Sequence, residues 1–158
     1  MDEYFLDNYE LVASGEKWIG EGIKSSFEVI SNLIEKSYNN LILTIFIIYD
    51  ERIWNSIKNA VKRNISVEIF IYNNDDNDYW GLIDEIKDFS IKYSNLIIYE
   101  KTDEKIHSKV IIADKSKVYL GSANLTNKGL NYNYELGIYV KDSYFAFKLE
   151  TIIKKLIE

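Results

Sequence analysis

Residues 41–48 read Leu-Ile-Leu-Thr-Ile-Phe-Ile-Ile, an almost wholly apolar run rich in β-branched side chains. A strand with one face in water alternates apolar and polar residues, whereas a run without alternation is covered on both sides. The chain must therefore build a sheet with a layer on each face, and residues 41–48 are expected to be a central strand. The flanking pattern supplies the layers. Ile23, Phe27, Ile30 and Ile34 recur at helical spacing, and so do Ile53, Ile57, Ala60 and Val61. Residues 79–93 read as a further helix through Leu82, Ile86 and Phe89, and Phe145, Leu149, Ile152 and Leu156 form the face of a last one. Strands are expected at 67–72, 96–99, 106–113, 117–121 and 135–140, with a short one at 10–14. Strands alternate with helices early and then follow one another directly. The predicted fold is α/β, a mixed sheet with helices on both faces. Proline, low-complexity linkers and internal repeats are absent, so residues 1–158 are expected to form a single domain.

Composition removes several kinds of chemistry. The chain has no cysteine, which excludes disulfides, thiolate metal sites and cysteine nucleophiles. The N-terminus is acidic and lacks the basic start of a signal peptide, and the apolar runs are shorter than the ~20 residues of a membrane span. Together with the missing cysteines this leads to an expectation of a cytoplasmic protein without a membrane span. Net charge is −6, weakly against a nucleic-acid partner, but the charge is uneven. Residues 1–16 carry Asp2, Glu3, Asp7, Glu10 and Glu16 with no base. Residues 101–128 carry Lys101, Lys105, Lys109, Lys115, Lys117 and Lys128 against Asp103, Glu104 and Asp114, and they hold the only histidine, His107.

That basic stretch contains a constellation. His107 and Lys109 are two apart on an expected strand and so share a face. Ser122 and Asn124 are two apart at the end of the next strand, where Gly121 lets the backbone turn or come close. An imidazole, an ammonium, a hydroxyl and an amide thus converge, and of these the imidazole is the good nucleophile. The ammonium, hydroxyl and amide are suited to phosphoryl oxygens. Glu135, at the start of the following strand, can accept from the Nδ1–H of His107 and hold Nε2 free to attack. Asp114 lies five residues beyond Lys109, on the opposite strand face, where a strand-end hydrogen bond is expected.

The spacing His-x-Lys-x(4)-Asp-x(6)-Gly-Ser-x-Asn over residues 107–124, extended to Glu135, resembles the hallmark of the phospholipase D superfamily. The resemblance implies that His107 is a nucleophile forming a phosphohistidine, that Lys109 and Asn124 bind phosphate with help from Ser122, that Asp114 is structural, and that Glu135 orients His107. It implies chemistry without a metal or cofactor. Larger members carry two such motifs and use both histidines. This chain has one, and so resembles the short nucleases that build one site from two copies. A homodimer is expected, with His107 of both copies at the same phosphorus and an interface that includes the His107 strand and residues 121–133.

The function expected on these grounds is a metal-independent phosphodiesterase, a nuclease acting on DNA more readily than RNA. A hydrolase or transferase of phospholipid or another small phosphodiester is the alternative, and a non-catalytic binding or assembly module the second. Folds of this kind occur attached to helicases and ATPases, which adds such a partner to the expectations. The acidic run at residues 73–78 lacks the glycine and distal glutamate of a calcium loop and is expected to be a solvated turn. Most of the 13 tyrosines sit in apolar stretches and are expected in the core.

Overall fold

The computed structural model describes residues 8–73 and 80–158. An eight-stranded mixed sheet is built from β1 (Tyr9–Ser14), β2 (Lys24–Ser25), β3 (Asn40–Ile45), β4 (Ser66–Tyr72), β5 (Leu96–Lys101), β6 (Lys109–Ala113), β7 (Lys117–Gly121) and β8 (Glu135–Lys141), in the order β2-β1-β8-β7-β6-β3-β4-β5. The strands β3, β4 and β5 are parallel, and every neighbouring pair from β1 through β8, β7 and β6 to β3 is antiparallel. The helices are α1 (Ser26–Glu35), α2 (Glu51–Lys62), α3 (Trp80–Lys92) and α4 (Ser143–Lys154).

The central strand is buried on both faces, and its alternation divides the core in two. Leu41, Leu43 and Ile45 join the cluster made with Val29, Ile30 and Leu33 of α1, Ile53 and Ile57 of α2, and Leu82, Ile83 and Ile86 of α3. Ile42 joins the other cluster, with Val110, Ile112, Val118 and Val140 of the sheet and Ala146 and Ile153 of α4. Three helices thus cover one face and one covers the other, the α/β sandwich expected. Polar caps start the helices. Ser25 Oγ accepts from the Glu28 N–H at 3.1 Å, Asp50 from Arg52 and Ile53, and Asp142 Oδ1 from the Phe145 N–H at 2.7 Å.

Several boundaries differ from the sequence reading. The first helix begins at Ser26, and Ile23 lies outside it in a bridge with Gly20. The central strand stops at Ile45, after which residues 46–50 turn into α2. The strand expected at 106–113 starts only at Lys109, so His107 precedes it. A π-helical turn, Lys128–Tyr132, interrupts the segment before β8. The acidic run at 73–78 falls, beyond Asn73, outside the described residues, as does the start at Tyr79 expected for the third helix.

A candidate phosphoryl-transfer site at one end of the sheet

The motif residues gather where β3, β7 and β1 end and β6 and β8 begin. Lys109 is in register with Gly121, Gly121 with Gly137, and Glu135 with Ser14. The paired glycines have a steric cause. A Cβ on Gly121 would lie 2.5 Å from the Tyr119 hydroxyl, and one on Gly137 would lie 2.8 Å from the Tyr119 ring. The buried Tyr119 therefore occupies the space their side chains would need, beside Lys109.

His107 is exposed, and its ring lies against Phe46 with centroids 4.5 Å apart. Lys109 is buried, and its Nζ donates to the His107 carbonyl at 2.7 Å while standing 3.2 Å from Nδ1 and 3.4 Å from Nε2. The two side chains meet, but His107 lies off the strand, so a shared strand face is not the reason. Burial, then Lys109, then Lys105, hold the imidazole below its ordinary value of 6.5, which favours its neutral form. Burial also lowers Lys109. Glu135 opposes that shift and Lys105 adds to it.

Ser122 and Asn124 lie just beyond the end of β7. Ser122 Oγ donates to Glu135 Oε2 at 2.5 Å and accepts the Leu136 N–H at 3.2 Å. The other Glu135 oxygen accepts from Asn133 Nδ2 at 3.4 Å. The carboxylate thus bonds to Ser122 and Asn133, not to the His107 ring as the sequence reading expected, because it sits across β7 from the histidine. It acts on the site by holding Ser122 and by balancing the charge of Lys109. Asn124 Oδ1 is buried and has no hydrogen-bond partner among the described residues, and the other end of the amide carries two N–H donors.

Asp114 stands at the opposite end of β6. Its Oδ1 receives the backbone N–H groups of Tyr38, Asn39 and Asn40 at 3.1, 2.9 and 3.4 Å. Asp114 and Lys115 have φ of 54° and 53°, and the Ser116 N–H closes the turn on the Ala113 carbonyl at 3.1 Å, the geometry of a type I′ hairpin. Asp114 ties that hairpin to the entry of β3.

Two residues were missed by sequence reasoning. Thr44 Oγ1 receives the Val110 N–H at 3.0 Å and the Ser108 hydroxyl at 3.0 Å, and donates to the Ser108 carbonyl at 3.1 Å. It pins the His107–Lys109 segment to the central strand, and a lone hydroxyl in the 41–48 run was the available signal. Phe46 lies under His107, with Lys105 and Lys109 Nζ 5.2 and 5.3 Å from its ring centre and Tyr72 stacked beyond it at 5.9 Å. The loop after Asn124 is fixed from the same side. The Leu125 carbonyl accepts the N–H groups of Tyr49 and Asp50, and Arg52 spans Asp50 and Asn127. Among the described residues no group of three or more histidine, aspartate or glutamate side chains could hold a metal ion.

The arrangement gathers an imidazole, an ammonium and amide and hydroxyl groups at one end of the sheet. A cardiolipin synthase of Clostridium perfringens is 26% identical over 141 residues, a match that takes in 89% of this chain and 29% of that protein. The chain therefore spans less than a third of the length of that curated relative. Among solved structures, NucT from Helicobacter pylori superposes with a TM-score of 0.75 at 19% identity, over 94% of this chain and 96% of that one. Nuc from Salmonella typhimurium, described as a phospholipase D family member, superposes with a TM-score of 0.72 at 20% identity, over 94% and 90%. The family model described as the cardiolipin synthase, PLD-like domain matches residues 30–157, and the chain belongs to that phospholipase D-like family.

Proposed function

We propose that this protein is a metal-independent nuclease that cleaves nucleic-acid phosphodiesters through a phosphohistidine, in an active site shared by two copies. The observation that carries the reading is the exposed His107 ring held against Phe46 with the Lys109 ammonium beside both ring nitrogens. In the first step a ring nitrogen attacks phosphorus, the P–O bond to the leaving group breaks, and its electron pair departs on oxygen. Lys109 and Asn124 supply N–H donors to the non-bridging oxygens, where charge accumulates, and Ser122 can join them only by giving up its bond to Glu135. The leaving oxygen needs a proton, and water must later be activated to release the phosphate. One imidazole cannot attack and protonate at once, so the acid is His107 of a second copy.

An exposed apolar surface beside the site supports that assembly. Leu136 follows Glu135 and is 55% exposed, and Trp18 and Tyr134 are 42% and 50% exposed with rings 4.9 Å apart. Isolated apolar residues on a surface are ordinary, but a contiguous group marks a contact. A second copy seated there would bring the two sites together by a two-fold axis.

A lipid reading is favoured by one specific observation, the identity with a cardiolipin synthase, and makes phospholipid phosphodiesters the competing substrate. The nuclease reading draws on the single histidine among residues 1–158 and on the likeness in fold to NucT and Nuc. The test offers single-stranded and plasmid DNA, RNA, phospholipid vesicles and bis(p-nitrophenyl) phosphate, each with excess EDTA. Cleavage of nucleic acid that survives the chelator is expected. Turnover of lipid alone would move the assignment to the second reading, and activity that required magnesium would overturn the mechanism.

A further inference from the structure

A second basic feature lies away from the His107 site, and its lysines outnumber the carboxylates around them. Lys117 begins β7 and Gly121 ends it, so Lys117 is about 13 Å along the strand from the glycine beside Lys109. Lys117 is the register partner of Lys141 on β8. Directly opposed residues on neighbouring strands share a face, and like charges there repel. Both line a pocket of about 180 Å³ that α1 closes from above and whose wall includes Lys36, Lys24 and Tyr139.

The carboxylates nearby offset this charge only in part. Glu10 is taken by Lys24 at 2.8 Å. Glu28 also lines the pocket, on the side of Lys24. Asp114 is 4.0 Å from Lys117, with its other oxygen occupied by three backbone amides. Among the described residues Lys36 and Lys141 have no carboxylate within ion-pair distance. The lining carries four lysines against two glutamates, Asp114 adds a third carboxylate beside Lys117, and Lys36 and Lys141 are left without an ion pair among the described residues. The ammoniums of Lys117 and Lys141 lie 5.7 Å from the rings of Tyr38 and Tyr139, which restricts where they point without removing their charge.

We infer that this pocket is a second anion site that takes a phosphate group between Lys117, Lys141 and Lys36, distinct from the His107 site. Three ammoniums drawn from α1's end, β7 and β8 can each donate to a different phosphate oxygen, and a dianion relieves the repulsion within the Lys117–Lys141 pair. The phosphate is either free inorganic phosphate or the terminal phosphate of a nucleotide or oligonucleotide. The inference does not depend on His107 chemistry and holds for a nucleic-acid or a lipid substrate at the other site.

The experiment follows backbone amide shifts of the isotope-labelled protein during titration with inorganic phosphate at constant ionic strength. Parallel titrations use thymidine 5′-monophosphate and unphosphorylated thymidine. Shifts at Lys117, Tyr139 and Lys141 that saturate with phosphate, separately from any at Ser122 and Asn124, are expected. The doubly substituted Lys117→Gln/Lys141→Gln protein keeps two polar chains of similar length and should bind phosphate at this end at least about tenfold more weakly, with the response at Ser122 unchanged. A response to both the free ion and the nucleotide indicates a general phosphate site, and a response to the nucleotide alone indicates a nucleotide-terminus site. No saturable shift at Lys117, Tyr139 and Lys141, or shifts that survive the double substitution, would overturn the inference. Loss of hydrolysis in a His107 variant leaves these amides untouched, so the two assignments fail independently.

Discussion

Lys109 Nζ stands 2.7 Å from the backbone carbonyl of His107 and 3.2 Å from Nδ1 of the same residue. The ammonium is therefore held against the imidazole by the chain itself, before any substrate arrives, and it opposes protonation of the ring. Burial is the larger cause of the lowered His107 value, with Lys109 next. Replacing Lys109 by Gln should move the His107 titration upward toward 6.5, read from the ring carbon–proton resonances against pH. The ring of the folded protein binds fewer protons than that of the unfolded chain between the two values. Its contribution to stability is thus present above 6.5 and lost as pH falls below it. The attacking ring must be neutral, so the rising limb of the rate profile should lie below 6.5 for the free enzyme. The partner ring must donate, which closes the profile on the alkaline side and gives a bell. A rate that climbs steadily into alkali would point to hydroxide or lysine chemistry instead.

His107→Ala should abolish turnover and leave the fold intact, because the ring is exposed. Wild-type protein quenched during turnover should carry acid-labile phosphate that the variant lacks. Lys109→Ala should reduce kcat/KM by roughly 10² or more, as loss of a donor to the transition state does. Near wild-type turnover by His107→Ala in a clean preparation would mean another nucleophile.

Thr44→Val keeps shape and removes the hydroxyl that makes three hydrogen bonds to Ser108 and Val110. The buried Val110 N–H loses a partner, and stability should fall by about 1–3 kcal/mol in denaturant titration. The His107–Lys109 segment loses its tie to β3, so kcat should fall with KM little changed, whereas Thr44→Ser should restore much of it. A variant that lost stability but kept full kcat would make Thr44 a packing residue only.

Asp114→Ala removes one carboxylate oxygen from three backbone amides at the start of β3. Its cost should be roughly 2–4 kcal/mol, larger than for surface carboxylates, and should appear as a lowered denaturation midpoint. Because Asp114 lies at the opposite end of β6 from Lys109, the folded fraction should retain its turnover per molecule. A proportionate loss of kcat would place Asp114 in the chemistry.

Mixed dimers test the shared site. Refolding wild-type chains with an excess of His107→Ala chains should give heterodimers with one imidazole, which can attack or donate but not complete turnover. Activity should then fall as the square of the wild-type fraction. Trp18→Glu, placed in the exposed apolar group, should favour monomers in sedimentation and lose activity with them. A fully active monomer would end the dimer proposal.

Much of this was legible in the order of residues. The unalternating run at 41–48 required a sheet covered on both faces, since a strand's two faces follow directly from its period of two. The helices through Ile30, Ile57 and Leu149 followed from the period of 3.6, and the motif from His107 to Asn124 marked the family. These are local properties, carried by neighbours within a few residues. What the tertiary structure alone decided was which distant partner each polar group chose. Glu135 was free, from its sequence, to serve His107, but the register of β7 on β8 presents Ser122 to it first. Thr44 and Ser108 are 64 residues apart and meet only because β6 pairs with β3. Lys117 and Lys141 look like ordinary surface charge until the pairing of β7 with β8 sets them face to face. Periodicity records how much of a side chain is buried and on which face, whereas register depends on turns, bulges and the packing of all layers at once, and no single stretch of sequence carries it.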